Sequence, residues 1–159
     1  MRRILFILGA LMFSTFTFAQ FEKGTKYAGI NFSGIGASYS STEKFRIGIG
    51  AQGGYFFMDA LAGIATIDWD RNVDSAPSIL TIGAEGRYYI RQNGIFLGAG
   101  AKYKHVGDYN DFLPNIEIGY AFYLNHYVTI EPAIYYEQSL KNHSDYSKIG
   151  FRLTAGLYF

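Results

Sequence analysis

His105, His126 and His143 are the histidines of this 159-residue chain, and none stands in a spacing that supports catalysis. A nucleophile relay needs a base beside a hydroxyl and a carboxylate behind the base. His143-Ser144-Asp145 has those residue types, but consecutive residues point apart and cannot form the relay. No His-x-Ser pair occurs, because His105 precedes Val106-Gly107 and His126 precedes Tyr127-Val128. No catalytic residue and no enzyme activity are therefore expected. Gly48-Ile49-Gly50-Ala51-Gln52-Gly53 matches G-x-G-x-x-G, yet a dinucleotide site needs that loop to open a helix, and here Tyr55-Phe56-Phe57 follow. Asp68, Asp70, Asn72 and Asp74 alternate like the first positions of a calcium loop. That loop wants Gly sixth and Glu twelfth, where this chain has Val73 and Ile79. A weak divalent-cation contact in an outer loop is the most these acids offer, and no cofactor is expected.

The remaining candidates are charges with strand spacing. Arg46, Arg87, Lys102, Lys104, Lys148 and Arg152 are set against Asp68, Glu85, Glu117, Glu131 and Glu137. Each lies in a segment where polar or small residues alternate with apolar ones. The last twelve residues read most clearly: Ile149, Phe151, Leu153, Ala155, Leu157 and Phe159 alternate with Lys148, Gly150, Arg152, Thr154, Gly156 and Tyr158. Side chains of a strand alternate between faces, so this is a strand with one apolar and one polar or small face.

The same alternation divides the chain into eight segments, near 26–39, 44–57, 60–69, 78–90, 95–106, 112–123, 127–138 and 147–159. Each has the length of a tilted strand crossing a hydrocarbon layer. Tight connections at Met58-Asp59, 91–94 and 124–126 alternate with longer polar ones at 71–77, 107–111 and 139–146; the 40–43 connection is short but polar. Asn93-Gly94 is a strong hairpin signal. The charged residues, with Asn31 and Gln52, fall on one face. Gly48, Gly50, Gly83, Gly98, Gly100, Gly119 and Gly150 share it, while Ile47, Ile49, Ile82, Leu97, Ile116, Ile118, Val128 and Ile130 fall on the other. A closed eight-stranded barrel has an interior barely wide enough for side chains, so glycines beside long charged residues suit it. Tyr55, Phe57, Tyr88 and Phe122, with Phe159, gather at one rim, and Phe45, Trp69, Tyr103 and Tyr136 towards the other, as aromatic belts at headgroup depth do. Pro132 lies mid-strand, where a bulge or a shifted boundary is expected.

Residues 1–19 have the pattern of a cleaved secretory signal peptide: Arg2 and Arg3, an apolar core over 4–13, and Thr17-Phe18-Ala19 before Gln20. Cleavage leaves 20–159 as one domain, with 12 basic against 13 acidic residues once Arg2 and Arg3 are gone. That balance gives no reason to expect a nucleic-acid partner. The chain has no cysteine, so an exported form needs no disulfide.

With its leader, its eight alternating segments and its Gly156-Leu157-Tyr158-Phe159 ending, the chain resembles the outer membrane protein beta-barrel domain family, the small OmpA/OmpX-like barrels of the porin family. The resemblance implies an all-β, eight-stranded antiparallel up-and-down transmembrane barrel in the bacterial outer membrane. Its partners would be outer-membrane lipid, lipopolysaccharide and the barrel-assembly machinery, which would read the terminal four residues. The glycine of that ending sits closer to the terminus than these signals usually place it.

Three functions follow as alternatives. Near balance of the inward charges favours a non-enzymatic barrel with a salt-bridge-filled lumen and a structural or surface-interaction role. A narrow porin-like channel for water or small ions is the second. A secreted lipocalin-like carrier, with an apolar interior, is the third; its Gly-x-Trp motif is absent, as Trp69 follows Ile67-Asp68.

Overall fold

A computed structural model describes residues 21–33, 46–72, 79–106, 109–141 and 147–159. The leader expected over 1–19, Phe45, Asp74 and the His143-Ser144-Asp145 run lie outside the described residues, and so do the side chains of Arg46, Ile47 and Asn72. The strands are β1 (Lys26–Ser33), β2 (Arg46–Met58), β3 (Leu61–Asn72), β4 (Ile79–Tyr89), β5 (Ile95–Val106), β6 (Tyr109–Tyr120), β7 (Phe122–Tyr123), β8 (Val128–Glu137) and β9 (Lys148–Tyr158). Sequence neighbours pair antiparallel, except that β6 and β7 both pair with β8, and β9 returns to β1, which closes the sheet. β6 and β7 meet β8 in one continuous register, so together they form a single wall strand and the barrel has eight.

The stagger follows from the pairings. Stepping across the wall from Lys26 leads through Tyr55, Gly63, Gly86, Ala99, Ile116 and Tyr136 to Ile149. Ser33, seven residues beyond Lys26, pairs with Arg152, three residues beyond Ile149, so the circuit closes with a stagger of ten residues. Ten residues of stagger at about 3.3 Å each, over eight strands about 4.8 Å apart, tilt the strands by about 40°. An eleven-residue strand such as β9 then climbs about 27 Å, the height of the apolar band on a membrane barrel.

Two boundaries lie three residues outside the sequence expectation. β3 runs to Asn72, three residues beyond its expected end, and β6 begins at Tyr109, so most of the loop expected over 107–111 is strand. In both cases polar residues that look like loop belong to the barrel's polar face. Asp111 stands in register with Lys104, a cross-strand pair of opposite charge that extends the ladder.

Pro132 brings no bulge. β8 keeps one register with β9 throughout, and the register to β6 and β7 is the same on both sides of the proline. The break falls in the neighbour. Gln138 N donates to Pro114 O, so the even residues of β8 face β6, and Pro132 stands opposite Tyr120, where β6 ends. The ladder loses one donor there without losing alignment. Pro132→Val should restore it and raise the unfolding free energy by about 1 kcal/mol. Slower amide exchange at position 132 and its neighbours would accompany the gain, and an unchanged urea midpoint would count against this account of the break.

Candidate functional site in the barrel interior

The interior is built from the charged alternates. Asp68, Glu85, Arg87, Lys102, Lys104, Glu117, Glu131, Glu137 and Arg152 are all buried, and Lys148 is half-buried at the loop end. Glycine makes the room. A Cβ on Gly98 would stand 2.6 Å from Glu117 Cγ, and one on Gly156 would stand 2.8 Å from Glu131 Oε1. Those carboxylates occupy the volume that side chains at 98 and 156 would need.

Towards the turn end, Arg87 is the hub. Its Nη2 pairs with Glu85 Oε1 and with Glu117 Oε1, both at 2.7 Å, and its Nη1 lies 3.3 Å from Glu131 Oε2. The guanidinium also stacks over Phe96, 4.5 Å from the ring centroid. Glu117 passes the network on, its second oxygen 3.1 Å from Arg152 Nη1. Glu131 is held by hydroxyls as well as charge: Tyr158 OH donates to Oε1 at 2.7 Å, Thr129 Oγ1 to Oε1 at 2.7 Å, and Tyr27 OH to Oε2 at 2.9 Å. Towards the loop end, Lys102 Nζ pairs with Glu137 at 2.8 Å and with Asp68 at 3.5 Å, and Lys148 pairs with Glu137 at 3.3 Å. The ring of Tyr135 joins the two halves, with Arg152, Lys102 and Lys148 at 4.9, 5.5 and 5.7 Å from its centroid.

The arrangement adds two acids to the inward face expected from the sequence. Asp70 and Asp111, assigned from sequence to outer loops, are buried on the inward face. Among the described side chains the interior therefore holds seven acids, Asp68, Asp70, Glu85, Asp111, Glu117, Glu131 and Glu137, against five bases, Arg87, Lys102, Lys104, Lys148 and Arg152. Asp68 and Asp70 belong to a strand and so cannot begin a calcium-type loop. Among the described residues no group of three or more potential metal ligands converges. The Gly48–Gly53 motif lies within β2 and opens no helix. His105 is exposed beside Asn110 on β6, while His126 is exposed in a turn at the opposite end, so the two do not meet.

Sequence reasoning placed Tyr158 on the polar face but missed the rest of the hydroxyl and aromatic half of the interior. Tyr27, Phe56, Tyr89, Phe96 and Tyr158 are buried on inward positions near the turn end. The terminal residues divide between faces: Gly156 and Tyr158 inward, Leu157 and Phe159 outward. The outer wall carries the apolar alternates, with Ile49, Ile82, Leu97, Ile116, Ile118 and Ile130 exposed, as are Tyr55, Phe57, Trp69, Tyr88, Tyr103 and Phe122; Tyr136 is half-buried. Among the described residues no helix is long and apolar enough to cross a membrane.

The sequence matches no protein-family model and no curated protein. The fold has close counterparts. The N-terminal β-barrel domain of Pseudomonas aeruginosa OprF superposes with a TM-score of 0.70 at 13% identity, over 86% of this chain and 98% of that one. The fold is that of the small outer-membrane barrels. The outer membrane protein OprG of the same organism gives 0.59 at 13% identity, over 87% and 97% of the two chains. Ail, the attachment invasion locus protein of Yersinia pestis, gives 0.57 at 13% identity in a phospholipid nanodisc, over 86% and 100%. At such low identity, the fold of a barrel of this size is what these chains have in common with the present one.

Proposed function

We propose that this protein is an integral outer-membrane barrel, without enzymatic activity, whose ion-paired interior is filled and whose role is structural or surface-interacting. One observation carries the reading: the polarity is inverted. Arginine, glutamate and lysine are buried at a few per cent exposure, while Ile116, Ile134 and Ile149 are more than half exposed. In water such a wall would be an apolar patch far beyond what monomers tolerate; against lipid it is the solvated face. The leader at 1–19 would export the chain, the barrel-assembly machinery would read Gly156 to Phe159, and lipid and lipopolysaccharide would surround the belts. The attachment protein Ail shares the fold, which supports the surface-interaction half of the proposal.

Lipid contact has a direct test. Ile116 sits near the middle of its wall strand and is 60% exposed. Ile116→Arg should cost about 2–4 kcal/mol when the barrel is unfolded from a bilayer. In a protein facing water the same exposed change would stay within about 0.5 kcal/mol, and that result would sink the proposal.

A narrow channel is the second reading, and the excess of acids over bases among the described side chains supports it, since a lumen of that sign would favour cations. Single-channel recording of residues 20–159 in a planar bilayer separates the two. A folded, inserted and silent protein supports the filled interior; stable cation-selective steps would replace it with a pore. The carrier reading needs an apolar interior, and the described lumen is ionic over most of its height.

A further inference from the structure

The apolar part of the interior is confined to the turn end, and its central ring does not come from the wall. Phe21 precedes β1, belongs to no strand, and is 1% exposed. Its ring stacks on Tyr89 with centroids 4.4 Å apart and planes at 23°. Tyr158 and Tyr123 present edges to it at 5.9 and 5.8 Å, and Phe56 closes the remaining side at 6.0 Å. Every one of these four partners is an inward residue of a different strand, so the socket exists only once the barrel has closed.

The backbone around Phe21 is fixed just as fully. Ala60 N donates to Phe21 O at 2.7 Å, and Ala60 O in turn accepts from Tyr89 N at 2.8 Å. Ala60 adopts φ +62°, a left-handed conformation uncommon outside glycine, and that turn geometry is what aims its N–H at the segment. Lys23 N donates to Asp59 Oδ1, Gly24 N to Phe56 O, and Phe56 N to Thr25 O. The Lys23 N–H, with Arg91 beside it, holds the Asp59 carboxyl below the usual carboxylate range. A segment that merely trailed from the first strand would have no reason to meet a hairpin turn and four aromatic rings.

We propose that residues 21–25 are a stopper: the turn-side mouth of the barrel is a socket for Phe21, whose docking shuts the interior to water from that side. The occupant is this chain's own N-terminal segment. The inference rests on the filled-interior reading and adds which part closes it. Above the stopper stand Tyr27, Tyr158 and Glu131, whose hydrogen bonds then lie in a dry compartment, where they are stronger than beside bulk water.

The chain lacks cysteine, so one introduced thiol reports one place. Ala62 is fully buried in the cluster that contains Phe21. In Ala62→Cys, refolded into lipid vesicles, a water-soluble maleimide should react slowly. Adding Phe21→Ala should speed that reaction on the order of tenfold or more, by exposing what only local opening reached before. A thiol at Thr81, buried near the loop end, should keep its rate. Unchanged labelling at position 62 in a folded Phe21→Ala protein would overturn the stopper. Should that variant not fold, amide exchange of the unaltered protein decides: an Ala60 N–H that exchanges as fast as that of exposed Gln92 means no docked segment. Bilayer recording stays a separate readout, because conductance in the unaltered protein overturns the filled interior, whereas labelling indifferent to Phe21 overturns only the stopper.

Discussion

Arg87→Ala is expected to lower the unfolding free energy of the refolded barrel by about 3–5 kcal/mol, the loss that follows when a buried charge is left without its partner. The magnitude comes from geometry. One guanidinium answers three carboxylates, Glu85, Glu117 and Glu131, and all four side chains are about 2% exposed or less. Alanine removes the cation and leaves the acids where water does not reach. Arg87→Lys should fall between the two, since an ammonium keeps the charge but cannot span Nη1 and Nη2 contacts on opposite sides of a planar fork. Arg91 supplies the contrast: its pair with Asp59 is 3.0 Å long but about half exposed, so Arg91→Ala should change stability by no more than about 1 kcal/mol. Urea titration followed by the mobility difference between folded and heated protein measures all three. A loss at Arg87 as small as at Arg91 would mean that the carboxylates do not depend on it.

The strand pattern was legible because it is the same physical signal repeated: an apolar outer face and a polar inner one force period-two alternation at Ile116, Glu117 and Ile118 as clearly as at Phe151, Arg152 and Leu153. Most charges on the inner face could be assigned from that signal alone. Asp70 and Asp111 could not, because an acid near a strand end looks identical whether it faces a loop or a lumen. Register decides it: Asp111 is inward because it pairs with Lys104, and register depends on partners distant in sequence. Tyr89 was hidden for a related reason. Aromatics near strand ends suggest belts, and only the parity within each strand separates Tyr88, which faces out, from Tyr89, which faces in. Phe21 had no signal at all. It lies outside every alternating segment, and its burial is created by four strands that close around it.

Pro132 shows the same limit from the other side. The sequence identifies a missing donor but not which neighbour lacks it, and a bulge is one of two ways to absorb the loss. The barrel takes the second, ending β6 at Tyr120 and resuming at Phe122 with the alignment intact. A bulge would have moved every later side chain of β8 to the opposite face and carried Glu137 out of the lumen. Keeping Lys102 paired with Glu137 therefore requires that the defect be absorbed in the hydrogen-bond ladder and not in the register.

Whether the lumen is closed by charge or by volume can be decided at Glu117 and Arg152. Glu117 faces two cations, Arg87 at 2.7 Å and Arg152 at 3.1 Å, so Glu117→Leu strands positive charge and should cost about 3–5 kcal/mol. Arg152→Met should cost less, about 1–3 kcal/mol, because Glu117 retains Arg87. The double substitution should cost less than the sum by about 1–3 kcal/mol, since each change removes the charge that the other strands. Leucine and methionine come close to the volume of the groups they replace, and the space left by Gly98 still receives the side chain at 117. A filled lumen should then stay silent in a planar bilayer even with the pair gone. Conductance appearing in the double variant, while the unaltered protein stays closed, would instead identify the ion pair as the barrier, with packing around it too loose to hold back ions alone.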